Sequence, residues 1–269
     1  MRRTNFDMCL LENQIPFFIL DDLLKLSKIS DGDSMIKLTG DFLSRTFGHS
    51  WVPEDILEQI SSSQVEHFVD FLTKCQQPAN RKQRPRQILT APSAMEVHQS
   101  GVKFKLGSRE KIFDMNFDFN KGILEIPQLF LDDETEKLFR NLHAFEQFQY
   151  CGGYVSGCIT TLKDLVRSTN DVEILAKKGI IYNCLGDDNA VISFLHDLDR
   201  GSLVSIDDLY YTDVVENLVK YCTKRRHKWI ADLKQNYFHN PWVSISVVAA
   251  GAHPILTVIQ TVCSVFQVK

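Results

Sequence analysis

A carboxylate set among apolar residues is the sequence feature best suited to acid–base work, because burial forces it to find a partner or change its proton affinity. Two positions fit: Glu12 in LLENQIPFF and Glu146 in LHAFEQF. For both, a structural ion pair or hydrogen-bond network is the first expectation, ahead of catalysis. Asp132-Asp133-Glu134 could pair as acid and base on paper. A helix start that favours negative charge explains the same cluster. Asp31-Gly32-Asp33-Ser34 lacks the glycine at loop position six and the closing glutamate of a calcium loop. None of the eight histidines stands at H-E-x-x-H or H-x-x-E-H spacing. Cys151 and Cys158 are seven apart, outside zinc spacing. No phosphate-cradling glycine motif occurs, and Gly152-Gly153 reads as a loop or helix interruption. The residues therefore yield no catalytic, cofactor-binding or metal-binding assignment, and the expectation is a protein that is not an enzyme.

The elements that would position these residues come from composition and periodicity. The chain has 269 residues, 30 Lys+Arg against 34 Asp+Glu and 44% hydrophobic residues. That composition is globular and excludes a disordered chain. The net charge of −4 argues against a nucleic-acid partner. Seven cysteines, odd in number and widely spaced, read as buried free thiols rather than a disulfide framework. Asp7, Glu12 and Asn13 interrupt the first apolar stretch, so no amino-terminal signal is visible.

Pro241 to Val268 holds no Asp, Glu, Lys or Arg over 28 residues. A membrane span needs about 20 apolar residues. Trp242 stands where an interfacial aromatic would, and Lys220, Lys224, Arg225, Arg226, Lys228 and Lys234 precede it. By the positive-inside rule that flank stays cytoplasmic. The expectation is a single-pass span through residues 241–268, with a lipid bilayer as partner and a cytoplasmic body. Gly251, His253 and Pro254 interrupt the run, so a buried terminal helix pair broken at Pro254 remains the alternative.

Helical spacing recurs from Pro16 through Leu24, over Met35–Thr46, from Pro53, and at Val65, Phe68, Val69 and Leu72. Gln76–Ser100 carries three prolines and the basic run Arg81–Arg86, and reads as a linker. From Val102 to Ile126 the period changes, with a turn at Asn120-Lys121-Gly122, and predicts a small antiparallel meander. Helices follow, capped by Asp133 with Glu136, by Asn170 with Glu173, and near Asp187–Asn189; a long one is expected over Ser205–Tyr237. The fold class is α+β, predominantly helical: a helical body, one small antiparallel β-meander and a C-terminal hydrophobic helix. The expected division is 1–75, a helical part; 76–100, the linker; 101–239, the small sheet and further helices; and 240–269, the transmembrane tail.

These residues carry a resemblance. DMCLLENQIPFFIL at 7–20 resembles the LLENQ-containing opening segment of the plant-specific domain-of-unknown-function family 247, the UPF-type plant proteins. FDMNFDFNKGILEIPQLFLDDETEKLFRNLHAFEQF at 113–148, DVEILAKKGII at 171–181 and YFHNPWVSISVVAAGAHPILTVIQTVCSVF at 237–266 are similar to its later blocks, in order. Members usually carry a region before LLENQ, so the resemblance implies an N-terminally truncated member. Phe17, Phe18 and Ile19 would then present apolar surface. The resemblance implies no enzyme chemistry and a single-pass membrane protein, the plasma membrane being the expected site. Some grass members are implicated in pollen–stigma self-incompatibility. The reading is a membrane-anchored plant protein that acts in interaction or recognition with an unknown protein partner. A soluble enzyme of unrecognised type, or a non-functional truncated remnant, is the alternative.

Overall fold

The structure, a computed structural model, describes residues 6–27, 34–48, 51–60, 64–77, 89–107, 111–149, 153–200, 210–224 and 257. A one-turn 3-10 helix, Leu11–Asn13, leads into α1 (Phe17–Ser27), α2 (Met35–Phe47), α3 (Glu54–Leu57), α4 (Phe68–Gln76) and α5 (Ala94–Gln99). Four short strands follow: β1 (Lys103–Leu106), β2 (Asn116–Asp118), β3 (Ile123–Ile126) and β4 (Leu129–Leu131). Then come α6 (Asp133–Gln149), α7 (Tyr154–Leu165), α8 (Thr169–Lys177), β5 (Ile181–Asn183), α9 (Asp188–Asp199) and α10 (Thr212–Thr223). Mainly helical is thus correct.

The expected meander is not what forms. The three-stranded sheet has the order β1-β3-β2, with β1 parallel to β3 and only β2 antiparallel to it. The β2–β3 hairpin is the one the turn signal marked. Asp118 Oδ1 accepts from the Asn120 and Lys121 amides, and Gly122 donates to the Asp118 carbonyl. The chain after β1 crosses to the far side of β3 before pairing. Alternation in sequence identifies the buried face but not the neighbour or its direction, which explains the error. Gly122 has φ +62°, and a Cβ there would run into the Tyr221 hydroxyl. Gly122→Ala is expected to cost about 1–3 kcal/mol, read as a lower urea midpoint.

A second sheet, β4 parallel to β5, pairs Leu129 with Ile181 and Leu131 with Asn183. Three-residue strands are too short to show a period, so neither was expected. Leu129, Leu131 and Ile181 point inward; Phe130 and Tyr182 stack outside with centroids 4.9 Å apart.

One hydrophobic core runs through these elements. Helix α6 lies at its centre because Leu138, Phe139, Leu142 and Phe145 share a buried face. Phe139 meets Phe113, Trp51 and Phe194 edge-on. Helix α7, buried at nine of its twelve residues, packs on α6 and α9.

Other boundaries move by a turn. Asp132, not Asp133, caps α6, accepting from the Thr135 amide at 2.7 Å. Helix α8 starts on Ser168 and Asp171 rather than on Asn170 and Glu173. Of the expected Ser205–Tyr237, helix α10 forms Thr212–Thr223, and residues 205–209 and 225–237 lie outside the described residues. Residues 89–100, the end of the expected linker, are folded: Ala91, Ala94 and Val97 are buried, and α5 packs on α8. Phe17 is buried, whereas Phe18 and Ile19 face outward. The basic run 81–86, the C-terminal hydrophobic helix and the span 241–268 lie outside the described residues, Thr257 apart. Among the described residues no helix is long and apolar enough to cross a membrane.

Candidate functional site

The two marked carboxylates part company. Glu12 sits in the 3-10 turn and is exposed, so its apolar sequence neighbours do not bury it. Glu146, in the last turn of α6, is almost fully buried. Its Oε1 accepts from the Val155 amide at 3.0 Å, and its Oε2 from the Ser156 amide at 2.8 Å and the Ser156 hydroxyl at 2.6 Å. Gly153 precedes α7 in left-handed backbone, so the first amides of α7 turn toward this carboxylate. A helix start leaves its first N–H groups without intrahelical partners, and an anion is the natural acceptor. Burial pushes the Glu146 carboxyl above its ordinary range, opposed by the bonds from Ser156, Val155 and Tyr154.

Cys158 and Tyr211 lie beside this site, and burial raises both of their proton affinities. Among the described residues the buried Tyr211 hydroxyl has no hydrogen-bond partner. Cys9 and Cys75 are also buried, with thiols pushed up to about 12, as expected for packed free thiols. Cys184 is exposed, which the expectation of buried thiols does not cover.

A second carboxylate was not singled out by sequence. Asp171 is buried. Its Oδ1 accepts from the Met95 amide at 2.7 Å; its Oδ2 accepts from the Ser168 amide at 2.9 Å, the Ser168 hydroxyl at 2.7 Å and the Arg167 amide at 3.3 Å. It therefore caps α8 and grips the start of α5 at once. Asp164 accepts from the Ala91 amide, and Arg167 donates to the Ala91 carbonyl. Burial raises the Asp164 proton affinity against those opposing contacts. Ser168-x-x-Asp171 is the cap signature that could have revealed this knot.

The LLENQ residues do similar work. Gln14 donates to the Met8 and Leu10 carbonyls and accepts from the Val69 amide near the start of α4. The Leu11 amide donates to Asn141 Oδ1 at 2.7 Å, tying this segment to α6. The Phe17 amide donates to the Glu66 carbonyl. Buried Asp70 accepts from the Glu66 amide and from Lys74.

His143 is buried on α6. Its Nε2 accepts from Gln147 at 2.9 Å, and its ring also hydrogen-bonds the Leu198 backbone. Burial lowers its proton affinity below the ordinary 6.5, outweighing nearby Asp199. His67, whose Nδ1 accepts from the Asp70 amide, is lowered for the same reason. In each case the unfolded chain binds the proton more readily. Stability is then fully present above pH 6.5 and is lost as pH falls through the folded values. The melting temperature is expected to drop as pH falls from about 7.5 to 5.5. His143→Gln should flatten that dependence.

Asp132, Asp133 and Glu134 open α6, with Glu134 paired to Lys137. That is the helix-start role. Among the described residues no cluster of three His, Cys, Asp or Glu side chains could hold a metal ion. Asp31, Gly32, Asp33, Cys151 and Gly152 lie outside the described residues.

Fold and site together define a mainly helical protein with two small sheets, in which buried polar side chains fasten helix starts to segments distant in sequence. A family model described as plant protein of unknown function, DUF247, matches residues 1–256, and the chain belongs to that family. The UPF0481 protein At3g47200 of Arabidopsis thaliana is 24% identical over 289 residues, covering 97% of this chain and 60% of its own length. The putative UPF0481 protein At3g02645 of Arabidopsis thaliana is 28% identical over 181 residues, covering 66% of this chain and 34% of its own length. The chain thus spans less than two thirds of either relative. No solved structure matches it.

Proposed function

We propose that this chain is a membrane-anchored recognition protein whose body binds another protein and carries out no catalysis. The observation that carries the anchor is the uncharged run Pro241–Val268 behind the basic flank Lys220–Lys234. A run of that length supplies the apolar residues a span needs, and the flank keeps the body on the cytoplasmic side, the plasma membrane being the proposed site. Binding rather than catalysis is supported by the use already made of the best acid–base candidate. Glu146 is held by backbone amides at a helix start inside the core, where no substrate reaches it.

Carbonate extraction of the tagged full chain from plant cells, beside a chain ending at Asn240, tests the anchor. The full chain is expected to resist extraction and the shortened one to be released. Release of both would overturn the anchor.

A further inference from the structure

Helix α1 is apolar on both sides. Its inner side sets Phe17 in the core, with Leu20 packed against it. On its outer side Phe18, Ile19, Leu23 and Leu26, with Ile15 just ahead of the helix, lie 40–78% exposed. Apart from Asp21, Asp22, Lys25 and the closing Ser27 the helix is apolar, and α1 is covered on one side only. The stripe repeats at helical spacing over five side chains, with exposed Asp22 between Phe18 and Leu26. A stable association between separate molecules needs about 800 Å² per partner. The patch is too small for that on its own, but suits an occupant already tethered to the chain, which avoids most of the cost of association.

The chain supplies such an occupant. After Pro254 the apolar run is not uniformly apolar. Ile255, Val258, Ile259, Val262, Val265 and Phe266 recur at helical spacing, while Thr257, Gln260, Thr261, Ser264 and Gln267 stand opposite, with Leu256 and Cys263 on one flank. Thr257 is helical and exposed, as the polar side requires. A helix over 255–266 would be about 18 Å long, close to the length of α1. The thirty residues between Lys224 and Ile255 can extend at most about 100 Å, against a radius of gyration of about 18 Å for a chain of this size. The connection therefore reaches any face of the body. Charge also matches. The rim of α1 carries Asp21 and Asp22 against Lys25, whereas Arg225, Arg226, Lys228 and Lys234 against Asp232 lead toward the run.

We propose that residues 255–266 dock as a helix on the exposed stripe of α1, so that the run has two apolar destinations, the bilayer and its own body. The regulatory half, competition with the bilayer, rests on the anchoring reading; the docking itself does not. A chain docked on itself withholds the anchor, and a chain inserted in the membrane leaves the α1 stripe free.

The test replaces Cys151, Cys184, Cys222 and Cys263 with serine, places cysteines at Leu23→Cys and Val262→Cys in that full chain, and treats the non-membrane fraction with a short bis-maleimide. A cross-link between positions 23 and 262 within one chain is expected. It should be lost in each chain that carries only one of the two introduced cysteines and when Phe18→Glu and Leu26→Glu are added. Both glutamates replace exposed residues, and an unchanged melting curve checks that the body still folds. The same charge changes are expected to raise the membrane-bound fraction at least twofold. A cross-link only between two chains would overturn the proposal in favour of a second copy. Position 23 left freely reactive, and shielded only by added phosphatidylcholine vesicles, would overturn it in favour of a lipid surface. An intramolecular cross-link in a chain that never enters membranes would sustain the docking and defeat the anchor.

Discussion

Asp171→Ala is expected to destabilise the chain by about 4 kcal/mol, through several buried donors left unsatisfied at about 1–3 kcal/mol each. The Met95, Ser168 and Arg167 amides and the Ser168 hydroxyl all converge on this carboxylate. At this chain length the melting temperature should fall by about 10 °C. Two controls separate the contributions. Ser168→Ala removes the cap hydroxyl alone and should cost about 1 kcal/mol. Asp171→Asn keeps one acceptor oxygen but turns an amide N–H₂ toward donors, and should fall between the two. Urea unfolding followed through buried Trp51 gives the three values, with an unchanged slope marking a true stability effect. Protease cleavage near Leu89 should rise in Asp171→Ala, because Asp171 holds the start of α5. A loss under about 1 kcal/mol would mean that water can serve these amides.

What the sequence disclosed and what it hid follow one rule. Features set by neighbours within a turn were legible: the helices of the Leu138–Phe145 face, the Asp187 cap, the hairpin at Gly122 and the break at Gly179. Features set by distant partners were not. Nothing in KFKL says that β1 will lie parallel to β3 rather than beside β2. Nothing local to Asn141 says that it will receive the Leu11 amide 130 residues away. The carboxylates show both cases. Glu12 and Glu146 have equally apolar sequence neighbours, yet Glu12 lies in a surface turn while Glu146 faces another helix start. An apolar neighbourhood in sequence becomes a buried one only where the element's own face turns inward. Asp171 failed the opposite way: its neighbours are polar, and its burial comes from α5, contributed by a segment read as linker.

Glu146 separates two physical accounts of one buried carboxylate. Glu146→Leu keeps the core apolar but deprives the Val155 and Ser156 amides of their acceptor, and is expected to cost about 4 kcal/mol, on the scale of breaking a buried polar network. Glu146→Gln retains one acceptor oxygen and should cost about half as much. The pH dependence then asks which influence governs the carboxyl. Burial raises its proton affinity, so the folded chain holds this proton more tightly than the unfolded one. With that sign, the wild-type contribution is full below the ordinary 4.5 and is lost as pH rises through the raised folded value. The glutamine variant has no such proton to lose. The stability gap between wild type and Glu146→Gln is therefore expected to be widest near pH 4.5 and to narrow as pH rises. Urea midpoints of both chains at several pH values measure that gap directly, and the histidine contributions cancel between them. A gap that widened with pH would mean that the converging amides outweigh burial. Glu146 would then sit in the core as a charge stabilised by the start of α7. Either way its oxygens are held between two helices, and its loss should unfasten α6 from α7 before any other pair.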